Sequence, residues 1–212
     1  HPPGVSVISW ALPITYETRL SSRRETLATS LRWNHTRWKG QEFINRLAIH
    51  LVCLLEDLGY QAAAPELAGA FEIRELPDGR ASNWSLRHIA YACGLGTFSL
   101  NDGFITPKGI TVRLGNVVTD LALPPSPRTS EDHLANCLYC QGGSCRRCIE
   151  RCPAGAISER GHDRRRCKEF MMDEQPVIHR QLGRTGDYIG RYLGCGLCQT
   201  KVPCESMIPP FT

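Results

Sequence analysis

Apolar and polar positions change period several times along the chain, and each change suggests an element. Val5-Ser6-Val7-Ile8-Ser9-Trp10 is β-branched and apolar and predicts a strand close to the N-terminus. Arg19–Lys39 is polar and rich in Arg, Thr and Trp, and reads as a loop leading into a helix. From Gln41 to Leu58 the apolar residues fall at Ile44, Leu47, Ala48, Leu51, Leu54, Leu55 and Leu58. That spacing predicts a helix with one buried face, ended by Gly59. Tyr60–Ala64 suits a short strand. Asn83 is placed to cap a helix over Trp84–Cys93, with Gly94 just past its end. Phe104–Thr106, the turn Pro107-Lys108-Gly109 and Ile110–Leu123 read as strand, turn, strand. Pro124-Pro125-Ser126-Pro127-Arg128 is a stiff linker.

After the linker the pattern fades. Aliphatic residues are sparse from 137 to 212, too few to build a core unaided, so the segment needs a staple. The chain therefore divides into an α+β domain over 1–128 and a smaller unit over 129–212. The strand starts so early that a segment preceding Val5 is expected to be missing.

Composition adds one decisive number. The chain has 212 residues, 42% of them hydrophobic, and a net charge of +4, an ordinary globular balance that demands no anionic partner. No apolar run reaches about 18 residues, so no membrane helix is expected. There are 11 cysteines, however, and nine of them lie after residue 136. Clustered C-x-x-C pairs in a chain without a signal pattern point to metal rather than disulfides, and to a reducing, cytoplasmic setting.

The array begins Cys137-Leu-Tyr-Cys140 and continues Cys145-Arg-Arg-Cys148-Ile-Glu-Arg-Cys152-Pro153. Cys167 follows, then Cys195-Gly-Leu-Cys198 and Cys204. The piece from Cys145 to Pro153 matches the end of the bacterial ferredoxin run C-x2-C-x2-C-x3-C-P, in which the cysteine before proline serves the other cluster. Gly142 stands where the first cysteine of that run belongs, so Cys137 or Cys140 must supply the thiolate. One [4Fe–4S] cluster is then expected on Cys137 or Cys140 with Cys145, Cys148 and Cys204. The second takes Cys152, Cys167, Cys195 and Cys198. Zinc on paired C-x-x-C groups is the alternative. Cys53 and Cys93 sit on apolar helical faces and are expected in the core.

Ser82–Phe98 with its Gly94-Leu95-Gly96 turn, Gly103-Phe104-Ile105-Thr106-Pro107 and Arg113–Asp120 precede this array. The combination resembles the epoxyqueuosine reductase and reductive dehalogenase superfamily over nearly the whole chain. The resemblance implies a nitroreductase-like domain holding base-off cobalamin, followed by a bacterial-ferredoxin-like module with two [4Fe–4S] clusters. It further implies an oxidoreductase that passes electrons from an external ferredoxin- or flavodoxin-type donor to cobalamin. The substrate would be a small molecule or a modified nucleoside. tRNA has no separate support, because the chain stops soon after Cys204 without a helical-repeat domain. By the same resemblance Gly94, Leu95, Gly96, Thr97, Phe98 and Ser99 would lie against the corrin ring. Gly115, Asn116 and Val117 would meet it from the other side. His88, Arg87, Asp78 and Tyr91 are the candidate catalytic residues.

The remaining features have plainer readings. Asn101-Asp102-Gly103 reads as a turn. Trp33 and Trp38 read as packing residues, and the basic run Arg160–Lys168 as a solvated face or a docking surface for an acidic electron donor or a nucleic acid. An electron-transfer or corrinoid-reducing protein without its own substrate is the competing function.

Overall fold

The computed structural model describes residues 4–77, 79–128, 130–184 and 194–211. Asp78 lies outside them. Strand β1 (Ser6–Pro13) leads through helix α1 (Tyr16–Arg23) into the long helix α2 (Leu31–Asp57). The short strand β2 (Ala62–Ala63) comes next, then the hairpin β3 (Ile73–Leu76) and β4 (Gly79–Ser82) and helix α3 (Leu86–Ala92). A second small hairpin, β5 (Thr97–Phe98) and β6 (Phe104–Ile105), precedes β7 (Val112–Thr119). The cysteine-rich part carries α4 (Leu138–Gly142), α5 (Arg147–Glu150), the hairpin β8 (Ile157–Ser158) and β9 (Gly161–His162), α6 (Arg164–Glu169) and α7 (Gln175–Gln181).

β7 is the central strand, antiparallel to β1 on one side and β2 on the other, with Ser6 opposite Thr119 and Pro13 opposite Val112. Its successive side chains point to opposite faces. Val117 packs with Ala48 and Leu55 of α2. Leu114 packs with Ala90 of α3 and with Phe104. A strand covered on both faces explains the unbroken buried run Leu114–Val117.

α2 departs from the periodic reading at both ends. It starts ten residues before Gln41, because Ser30 caps it, its Oγ accepting from the Trp33 amide at 3.1 Å. Much of Arg19–Lys39 is therefore helical. Its buried face is also narrower than the pattern suggests: Ile44, Ala48 and Leu55 are buried, whereas Leu54 and Leu58 are exposed. Cys53, expected in the core, is exposed, and Cys93 is half-buried. The helix expected at Trp84 begins at Leu86 with Ser85 at its cap, while Asn83 ties the chain to Glu72 and Ala70.

The cysteine-rich part is fastened to α1 and α2 through buried polar groups. Arg151 donates to the carbonyls of Ser22, Glu25 and Thr200. Buried Glu205 pairs with Arg23 at 2.9 Å, and Gln175 accepts from the Thr29 amide. Among the described residues no helix is long and apolar enough to cross a membrane.

Candidate functional site

Eight cysteines fall into two groups. Cys137, Cys145, Cys148 and Cys204 line one small cavity beneath Ser99, Asn101 and Ile105. Cys152, Cys167, Cys195 and Cys198 line one side of a much larger cavity of about 600 Å³. Cys140, beside Cys137, does not line either cavity. Burial pushes the thiols of Cys148, Cys195 and Cys204 up to about 12, and neighbouring cysteines add to the rise in each. Cys198 is raised well above the usual thiol value for the same reasons. Buried thiols this close repel one another as thiolates, and a bound cation relieves that repulsion. Among the described residues no three His, Cys, Asp or Glu side chains are placed to hold a single metal ion.

The loop that carries Cys195 and Cys198 is set by Trp33 in the first turn of α2. Gly196 has a φ of +67°, and a Cβ there would stand 2.1 Å from the Trp33 indole. Only glycine allows both the left-handed turn and that contact. Trp33 is thus a packing residue.

The other walls of the large cavity come from Trp84–Arg87, Asn101–Phe104 and Val112–Leu114, and β3 and β4 contribute Ile73, Arg80, Ala81 and Ser82. Trp84 is oriented by its Nε1–H, which donates to Asn116 Oδ1 at 2.9 Å. Arg87 donates to the carbonyl of Asp102. Asp102, which reads in sequence as a turn residue, does have a left-handed φ of 57°. Its carboxylate also accepts from Arg164 at 2.7 Å and pairs with His162 at 3.2 Å. Burial would raise that carboxyl, but these two partners outweigh it and hold it at about 2. His162 itself is disfavoured as a cation by burial, yet Asp102 and Cys167 push it up to about 9. Asp102, His162 and Arg113 line the cavity and were not legible as site residues, since nothing local in the sequence marks them.

The candidates from the resemblance are spread more widely. Arg87 lines the cavity; His88 and Tyr91 do not. The His88 ring pairs with Ser85 Oγ at 2.8 Å and leans on Phe98. Tyr91 donates its hydroxyl to the Glu131 carbonyl, on the far side of α3. None of Gly94–Ser99 lines the large cavity, and only Ser99 borders the small one. Gly96 is required by the protein itself: a Cβ there would stand 2.1 Å from the Ile105 carbonyl oxygen. Gly115 lies under the Trp10 indole, Asn116 is occupied by Trp84, and Val117 is fully buried against α2.

No family model matches the chain. An epoxyqueuosine reductase of Bacillus anthracis is 32% identical over 143 residues, 63% of this chain and 34% of that protein. The same figures hold for an epoxyqueuosine reductase of Bacillus cereus. The chain thus spans about a third of the curated relatives it matches. Among solved structures, a selenomethionine-labelled epoxyqueuosine reductase superposes with a TM-score of 0.53 at 20% identity, covering 99% of this chain and 53% of that one. An epoxyqueuosine reductase bound to an epoxyqueuosine-modified tRNA-Tyr stem loop gives 0.53 at 21% identity, covering 96% and 49%. The matched sequences bear out the resemblance read from the motifs, and the structures share the mixed α/β fold.

Proposed function

We propose that this chain, which belongs to the epoxyqueuosine reductase family, is the redox core of a corrinoid-dependent reductase acting on a modified nucleoside. The observation that carries the reading is the grouping of eight largely half-buried cysteines into two quartets, one of them forming a side of a cavity of about 600 Å³. In this reading Cys137, Cys145, Cys148 and Cys204 hold one [4Fe–4S] cluster. Cys152, Cys167, Cys195 and Cys198 hold the other. A cubane distributes its four thiolates over separate irons, so it suits a loose quartet that would not grip one ion. The residues 1–128 form the nitroreductase-like part and 129–212 the ferredoxin-like part, and a ferredoxin- or flavodoxin-type protein supplies the electrons.

The cavity is the proposed seat of cobalamin and substrate. When bound, the clusters and the corrinoid would supply low-potential electrons for the reduction. The chain's own residues do the rest. Trp84, Phe104 and Leu114 give flat apolar walls that exclude water. Arg87, His162 and Asp102 are among the polar groups at the wall, and His162, held in place through Nδ1 by Asp102, is the proton source proposed for the substrate. His88 and Tyr91 have structural roles in this account. The tRNA-bound neighbour supports a nucleoside as the reacting group.

Cobalamin added anaerobically to the cluster-loaded chain is expected to shift to the base-off absorption spectrum and to remain with the protein through gel filtration. A loaded chain that leaves the spectrum unchanged and retains no cobalamin would overturn the proposal in favour of a plain electron carrier.

A further inference from the structure

One corner of the large cavity carries charge that the thiol quartet does not balance. Arg113 enters it from the start of β7, on the face that meets α2. Its side chain passes over Gly40, where its Cδ stands 3.0 Å from the place of a Cβ. One guanidinium nitrogen donates to Gln41 Oε1, but Nε is buried without a hydrogen-bond partner. Arg37 reaches the same cavity from α2, lying against Gly194. Glu66 is the nearby acid, and burial raises its carboxyl against the pull of Arg113 and Arg37. Neither arginine forms an ion pair among the described residues. The cavity's other carboxylate, Asp102, is taken by His162 and Arg164.

Two half-buried guanidinium groups in one corner, one of them with a buried Nε–H that has no partner, are costly unless an anion completes them. Their planar N–H forks match a phosphate or phosphodiester. Resting on the function proposed above, both expected occupants carry such a group: the nucleotide tail of cobalamin and the backbone of an RNA-borne nucleoside. We infer that Arg37 and Arg113 form a phosphodiester subsite that orients the cavity's ligand relative to the quartet of Cys152, Cys167, Cys195 and Cys198.

The test titrates the cluster-loaded chain, at fixed ionic strength, with inorganic phosphate, cobalamin, cobinamide (which lacks the phosphodiester tail) and an RNA stem loop. Arg113→Gln and Arg37→Gln are compared with wild type and with Arg24→Gln, an exposed site that controls for charge. Iron content and far-UV dichroism report folding, and Arg113→Lys keeps the charge. Phosphate is expected to bind wild type and to weaken roughly tenfold in both cavity variants, but not in the control. If cobalamin supplies the phosphodiester, the same variants weaken cobalamin and spare cobinamide. If RNA supplies it, they weaken the stem loop and spare both corrinoids. Phosphate that ignores wild type, or binds all forms alike, overturns the subsite. Phosphate binding without any corrinoid binding keeps the subsite and removes the corrinoid reading. Cobalamin held equally by all forms, with no phosphate binding, does the reverse.

Discussion

Cys137 and Cys140 compete for one place in the first quartet. Cys137 is buried and borders the small cavity with Cys145, Cys148 and Cys204. Cys140 does not border that cavity, and burial together with its hydrogen-bond partner Cys137 raises its thiol to about 12. Cys137→Ser is therefore expected to lose about half of the iron after reconstitution, while Cys140→Ser keeps it all; iron assay of the two variants decides. The spacing from Cys145 to Cys152 marked Cys145 and Cys148 as candidates for this quartet, and Gly142 marked that another thiol would have to come from elsewhere. Asp102 was not legible, because its partners His162 and Arg164 stand about sixty residues away in sequence. The glycines of Gly94–Ser99 carry an ambiguous signal for a related reason. A close-approach glycine has the same sequence signature whether it meets a flat ligand or, as at Gly96, a neighbouring strand. His179 is buried, and burial with Arg184 lowers it from 6.5 to about 4. The unfolded chain then binds the proton more readily, so this contribution to stability is complete above about 6.5 and is lost as pH falls towards 4. The loss is at most about 3 kcal/mol, and denaturant unfolding of His179→Gln should show a flatter acid slope.

Among the elements, the hairpin of β3 and β4 covers part of the large cavity with few apolar contacts. Its ties to the cysteine-rich part are polar and exposed. Lys168 pairs with Glu75 at 3.0 Å, and the Arg164 side chain packs where a Cβ on Gly79 would sit. Exposed pairs of this kind contribute little and weaken with salt. Lys168→Ala should raise amide exchange over 73–82, and added salt should do the same to the wild type, with global stability nearly unchanged. Exchange confined to other segments would show that the hairpin is held by something else. The strand β1 and the body of α2 were legible because their apolar positions meet a sheet core with a regular period. The first turns of α2 were not, since Trp33 and Arg37 meet a cysteine loop and a polar cavity, and no apolar stripe records such contacts.

At the scale of the molecule, the cysteine-rich part is poor in aliphatic residues and depends on a few buried ties. Arg151, Glu205 and Gln175 fasten it to α1 and to the connection that leads into α2, so the second quartet is fixed against the cavity through hydrogen bonds as much as through packing. The scarcity of aliphatic residues suggested a staple, and the cysteine spacing suggested thiols for it. Neither could show that Trp33, more than a hundred residues upstream, would set the loop between Cys195 and Cys198. Two cubanes are the central proposal for this chain, and the most direct test is iron and acid-labile sulfide per chain after anaerobic reconstitution. About eight of each are expected, falling to about four in Cys198→Ser. About four in the wild type, or zinc without sulfide, would contradict it.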